Sequence, residues 1–378
     1  MANSPFKPKS RYELLDGLRG TAALCVIVYH FFEAWATSAV DQHFNHGYLA
    51  VDFFFILSGF VISYAYDDRW KEGLTVGAFF KRRLIRLHPM VIMGVVIGVV
   101  AFIVQGCTKW DGTKVGVWAI VLATLLNLLL LPAVPGTMPE VRGNGEMYPL
   151  NGPNWSLFFE YIGNIFYALF IRLMSTKVLK VFTAILGVLL AAFAVGNLSG
   201  AHHIGVGWTM AEWNLPGGLL RMTFSYCMGM VIARTFKKRS IPHAFLLCSL
   251  ILVALFAVPH IGGDGPLGWL NGVYDILCVG VLFPAVLYMG ACGHTGEGFG
   301  GKACKFLGEI SYPLYVVHYP LMYLYYHHIW EHNLTIVQSI PLMIAVLAGS
   351  ILLAYITMRF WDGPIRKKLS SRGIAQGK

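Results

Sequence analysis

Eleven apolar stretches recur along this chain, and they constrain its fold more than any other feature. They lie near residues 15–36, 48–66, 84–105, 115–134, 153–173, 178–196, 216–236, 244–258, 270–290, 306–328 and 335–360. About 20 apolar residues in a helix, at 1.5 Å each, cross the hydrocarbon of a bilayer. Backbone without water must satisfy its own polar groups, which a helix does within one segment. Composition agrees where it decides the class: only 13% of residues are charged, against roughly 25% in soluble domains. The sequence predicts an all-α, polytopic membrane helix bundle, one domain over residues 1–378 with short tails at 1–14 and 366–378. No internal repeat is evident, and no stretch between the apolar runs is long enough for a second domain.

Charge orients the bundle. The net charge is +10, but the basic residues sit in short runs between apolar segments, which argues for cytoplasmic loops and against nucleic acid. Lys7, Lys9 and Arg11 place the N-terminus in the cytoplasm. Lys71, Lys81, Arg82 and Arg83 place the loop after the second segment there. Lys237, Lys238 and Arg239 do so after the seventh, and Arg366, Lys367 and Lys368 at the C-terminus. An even number of crossings is then required between residues 84 and 236, where five segments lie. One of them does not cross, and 115–134 and 153–173 are the two candidates. About ten crossings follow, with both termini cytoplasmic. A basic tail precedes the first run and no A-x-A-like cleavage site follows it, so that run is expected to remain as the first span. The seven cysteines show no metal or disulfide spacing.

Polar residues inside these runs are costly and therefore informative. In Tyr12–Phe32, Arg19 and His30 are eleven residues apart, which puts them on one helix face about 16 Å apart along the axis. Asp52 enters the second run near its outer end, where it is expected to face His30 and fix its tautomer or its charge. Ser58 and Gly59 permit close helix packing. Arg83 and Arg86 stand one turn apart where the third run begins; anchoring explains Lys81 and Arg82 well, and Arg86, already inside the apolar run, less well. Ser156, Glu160 and Asn164 recur at four-residue spacing and form a polar stripe facing the interior. Ser311 and His318 are seven residues apart, beside Tyr312 and Tyr315. Trp208, Trp213, Trp269 and Trp330 fall at outer loops or helix ends, read first as interfacial anchors and second as platforms for a sugar.

In order, LDGLRGTAALCVIVYHF, GYLAVDFFFILSGFVIS, FKRRLIRLHP, PNWSLFFEYIGNIFY and ISYPLYVVHYPL resemble the motifs of the acyltransferase-3 family of integral membrane acyltransferases, over nearly the whole chain. The first-helix Arg and His of that family match Arg19 and His30. Its paired arginines match Arg83 and Arg86. Its tryptophan–serine–glutamate motif matches Trp155, Ser156 and Glu160, and its late serine–tyrosine and histidine match Ser311, Tyr312 and His318. The chain departs where relatives often carry Glu before a terminal proline; here Asp362 precedes Gly363 and Pro364. No esterase-like domain is appended within these residues, so transfer is expected to be completed by the membrane part or a partner.

The resemblance implies transfer of an acyl group, usually acetyl, from acyl-CoA to a hydroxyl, typically on a cell-envelope or exported carbohydrate. Arg19, Arg83 and Arg86 are expected to bind the cofactor phosphates. His30 is expected to act as general base, oriented by Asp52 or Glu160. Trp155, Ser156 or Tyr312 would stabilise the oxyanion, with a covalent acyl-histidine as the alternative course. No metal is expected: His202–His203 and His327–His328 are adjacent pairs that cannot share one helix face. Two other classes fit a polar membrane interior. A proton-coupled transporter would be expected to show repeated halves, and a membrane glycosyltransferase a large outer loop.

Overall fold

The computed structural model describes residues 9–237, 239–296 and 298–375, so Lys7, Lys238 and the outer parts of both expected tails lie outside it. Among the described residues there is no β-strand, and each of the eleven apolar stretches holds helix. The α-helices are α1 (Glu13–Glu33), α2 (Ala50–Lys71), α3 (Val76–Val104), α4 (Val117–Leu128), α5 (Asn154–Leu169), α6 (Thr176–Val195) and α7 (Asn214–Thr235). They continue with α8 (Ala244–Phe256), α9 (Trp269–Leu277), α10 (Phe283–Cys292), α11 (Phe299–His332), α12 (Ile336–Thr357) and α13 (Gly363–Ala375). Among the described residues, seven helical segments are long and apolar enough to cross a membrane alone: Glu13–Glu33, Asn45–Lys71, Val76–Val104, Asn154–Leu173, Thr176–Val195, Trp269–Cys292 and Ile336–Ser371.

Of the two candidates for a non-crossing segment, 115–134 is the shorter helix. Its α4 has 12 residues, about 18 Å of rise against about 30 Å of hydrocarbon. Residues 129–153 then run without regular helix to α5. α5 begins at half the height of the bundle, because Ser156 in its first turn touches Tyr315, the middle of the 34-residue α11. A proline anchors this connection. Pro320 has no N–H, so the Val316 carbonyl one turn earlier in α11 lacks its helical donor. Asn151 supplies one, its Nδ2 lying 3.0 Å from that oxygen.

Glycines set the two closest helix packings. A Cβ on Gly20 of α1 would lie 2.4 Å from the Leu307 carbonyl oxygen of α11. One on Gly59 of α2 would lie 1.9 Å from the Tyr226 carbonyl oxygen of α7, and Gly229 of α7 meets Ile56 in the same way. Small residues let backbones approach where lipid offers helices no hydrophobic drive to associate. Two π-turns, Cys278–Leu282 and Met358–Asp362, each end two residues before a proline, Pro284 and Pro364. The missing proline N–H frees a carbonyl one turn back, and the widened turn accommodates it. The second of these turns buries Asp362 beside α3.

Candidate functional site

α1 begins in one cavity and ends in another. The first has a volume of about 460 Å³ and is lined by α1, α2, α3, α5, α11 and the start of α13. Among the described residues, its walls carry Lys9, Arg11, Arg19, Arg69, Arg83, Arg86 and Arg366 against two carboxylates, Asp16 and Glu160. Arg19 Nη1 pairs with Asp16 Oδ1 at 2.9 Å. Arg83 Nη2 donates to Glu160 Oε1 at 2.6 Å, and Ser58 Oγ reaches the same oxygen at 3.4 Å. Arg366 is held by Asp362 at 2.8 Å. Arg86 makes no hydrogen bond or ion pair among the described residues. The cavity therefore keeps uncompensated positive charge, the condition for holding phosphate.

The second cavity, of about 290 Å³, holds His30 and Glu33 from the end of α1. Around them stand Tyr48, Trp155, Arg221, Tyr315, Tyr319, Tyr323, Tyr326 and Trp330, with Trp110, Asn144, Glu146 and Trp208 from connecting segments. His30 Nδ1 lies 2.7 Å from Glu33 Oε2, and the Tyr326 hydroxyl donates to that same oxygen at 2.7 Å. A carboxylate only accepts, so Nδ1 carries a proton, and in the neutral ring the lone pair is then on Nε2. His318 stacks on His30 with centroids 5.6 Å apart. Its Nδ1 donates to the Leu314 carbonyl at 3.1 Å, its Nε2 has no partner, and it lines neither cavity. Glu146 accepts from Asn144 Nδ2 at 2.9 Å and from the Tyr323 hydroxyl. Burial holds its carboxyl above the usual carboxylate range.

One thin wall separates the cavities. Val51 and Tyr315 line both, and consecutive residues of α5 face opposite ways, Trp155 into the second and Ser156 into the first. Ser156 Oγ donates to the Pro153 carbonyl at 2.9 Å, so the Tyr315 hydroxyl is the donor in their 2.6 Å contact. The N-terminus of α5, the positive end of its dipole, lies in this wall.

Most of the residues singled out from sequence meet here, with corrections to their pairing. Arg19, Arg83 and Arg86 share the first cavity with Ser156, Glu160, Ser311 and Tyr312, and His30 and Trp155 share the second. Asp52 does not face His30. It is fully buried against Arg221 of α7, accepting from Nε at 3.0 Å and from Nη2. A buried guanidinium demands a carboxylate, and α2 packs on α7 there. Glu160 does not reach His30 either, being engaged by Arg83. Tyr312 donates to the Leu87 carbonyl at 2.6 Å. The histidine partner is Glu33, missed although it lies three residues on, one turn away on the same helix. Tyr326, Glu146 and Arg221 were missed as well. Arg221 alone carried a signal, as an arginine inside an apolar run.

Comparison with known proteins places this arrangement. The family model described as "Acyltransferase domain", of the acyltransferase-3 family, matches residues 12–359. Protein 2 in the picA locus of Rhizobium radiobacter is 37% identical over 168 residues, 43% of this chain and 83% of that protein. Peptidoglycan O-acetyltransferase OatA of Listeria monocytogenes serovar 1/2a is 25% identical over 368 residues, 93% of this chain but 55% of that protein. Acyltransferase MdmB of Streptomyces mycarofaciens is 25% identical over 336 residues, 82% of this chain and 78% of that protein. The chain thus spans about half the length of the Listeria relative. No solved structure matches it. With a family match over nearly its whole length and relatives named as acyltransferases, this chain belongs to the acyltransferase-3 family and is an acyltransferase built on membrane-crossing helices.

Proposed function

We propose that the protein moves an acyl group, acetyl in the simplest case, from cytoplasmic acyl-CoA to a hydroxyl of a cell-envelope or exported carbohydrate. The observation that carries this reading is the pair of cavities meeting at one wall, the first rich in cations and the second holding His30. In this reading ten helices cross the plasma membrane of a bacterium, α4 stops short of crossing, and both termini are cytoplasmic. The first cavity then opens to the cytoplasm, where Arg19, Arg83, Arg86 and Arg366 meet the phosphates of the donor. The acyl thioester reaches the wall at Tyr315 and Ser156, whose contact opens to admit it.

The acceptor hydroxyl enters the second cavity. His30 Nε2 takes its proton as the oxygen attacks the thioester carbonyl. The new C–O bond forms, the C–S bond breaks, and the leaving thiolate takes the proton from His30. Glu33 holds the ring and stabilises its cation. Ser156, Tyr315 and the positive end of α5 stabilise the oxyanion. Asp52 acts at a distance: through Arg221 it holds the floor of the acceptor cavity.

The test is acetyl-CoA turnover by purified protein in detergent, wild type beside His30→Ala, with and without an envelope-glycan extract. Extract-dependent release of free coenzyme A, falling about 10²–10⁴-fold in the variant, supports the reading. Release unchanged in folded His30→Ala removes His30 from the chemistry. Absence of both release and acetyl-CoA binding removes acyl transfer from CoA altogether.

A further inference from the structure

We infer that the second cavity takes an uncharged, polyhydroxylated acceptor, and that Glu146, with Glu33, turns away acceptors carrying a carboxylate, phosphate or sulfate. This rests on the acyl-transfer reading of the same site. The charge census of the walls carries it. Two carboxylates, Glu33 and Glu146, line the cavity. Glu33 already serves His30, and Glu146 is fixed by Tyr323 and Asn144. An incoming anion must face these groups ionised or force one to take a proton, and both outcomes weaken binding.

Among the described residues lining the cavity, no cation is open to offset them. Arg221 lines the floor, but its guanidinium is engaged by Asp52 and by the Val206 and Tyr48 carbonyls at 2.9 and 3.1 Å. Arg142 lies behind the Tyr323 ring, 3.5 Å from its centroid, fully buried and outside the cavity lining. The remaining walls favour a neutral ring. Trp110, Trp155, Trp208 and Trp330 present broad apolar faces. Trp330 is pinned by its Nε1 donating to the Ala34 carbonyl at 2.8 Å. Flat indole faces suit the C–H surface of a sugar, while carboxylate oxygens accept from its hydroxyls. The volume, about 290 Å³, sits at the small end of ligand cavities and suits one or two rings. The first cavity has the opposite charge, so the two co-substrates are sorted by charge on either side of one wall.

The experiment uses the full chain in lipid nanodiscs with acetyl-CoA. Methyl β-D-glucopyranoside and methyl β-D-glucopyranosiduronate differ by a single carboxylate. Coenzyme A release and acetylated glycoside are measured for each, and binding is followed by tryptophan fluorescence in His30→Ala. The neutral glycoside is expected to outperform the uronate by at least tenfold in both readouts, with Glu146→Gln narrowing the gap to threefold or less. Equal or better performance of the uronate in wild type overturns the inference. A gap that Glu146→Gln leaves unchanged removes Glu146 as its cause. If neither glycoside binds or reacts while an envelope extract still drives coenzyme A release, the acceptor class is wrong and acyl transfer stands. If nothing drives release, acyl transfer itself falls.

Discussion

Replacing Glu33 by Gln isolates the carboxylate that the structure puts beside His30. The two side chains are 15% and 29% exposed and meet at 2.7 Å. The Gln amide oxygen can still accept from Nδ1, so ring orientation and tautomer survive while the negative charge goes. That charge counts most when His30 carries the acceptor's proton. A hydrogen bond to a charged group contributes about 1.5–3 kcal/mol, and about 1.4 kcal/mol is a factor of ten in rate. kcat for coenzyme A release is therefore expected to fall about 10- to 100-fold. KM for acetyl-CoA should stay within twofold, because the donor cations line the other cavity. Glu33→Asp should recover part of the loss. A Glu33→Gln enzyme within twofold of wild-type kcat, or one whose defect lies in KM for acetyl-CoA, refutes the claim that Glu33 works through His30.

Arg86→Ala should raise KM for acetyl-CoA about 10- to 100-fold with no change in melting temperature, since Arg86 has no partner to abandon; an unchanged KM reduces it to a membrane anchor. Asp52→Ala should cost about 3–5 kcal/mol of stability by stranding Arg221, read as a lowered melting temperature that Asp52→Leu with Arg221→Met largely restores. A stable but inactive Asp52→Ala would instead return Asp52 to the chemistry. His203 lies outside the spanning helices, and burial holds its ring down to about 3. Unfolded histidine titrates near 6.5, so below that pH the unfolded chain binds more protons and stability falls as pH drops toward 3. The loss of melting temperature between pH 7 and pH 5 should be smaller in His203→Gln, which keeps an acceptor for the Gly205 N–H; an equal loss refutes the assignment.

What was legible in the sequence depended on whether the signal was local. Apolar runs of crossing length announce helices by themselves, and all eleven hold helix. Arg83 with Arg86, and Ser156 with Glu160, keep spacings that fix a shared face, and each pair shares a cavity. Asp52 shows where such reasoning stops. Its depth was readable, but its partner belongs to α7, 169 residues away in sequence, and one helix face cannot report what packs on it. Parity between basic loops left α4 and α5 undecided, because composition alone does not show that α4 ends after 12 residues. Trp208 and Trp330 read as interfacial anchors because aromatic residues at helix ends usually are. Only the fold turns them toward a cavity.

Pairing separates structure from function in this bundle more sharply than burial does. In a medium without water, a charged or strongly polar group without a partner is expensive, so most have one. Asp52 has Arg221, Glu160 has Arg83, Asp67 has Arg234 at 2.8 Å, and Asp362 has Arg366. Even the carbonyl freed by Pro320 has Asn151. Removing one member of such a pair harms the fold whatever the chemistry, so loss of activity there is informative only in protein that stays folded. Among the described residues, the Arg86 guanidinium in the first cavity and Nε2 of His30 in the second make no hydrogen bond. One is a permanent cation where an anionic donor would enter, the other a lone pair where a hydroxyl would arrive. In the proposed reading each therefore serves a ligand, the guanidinium the donor and the imidazole the acceptor.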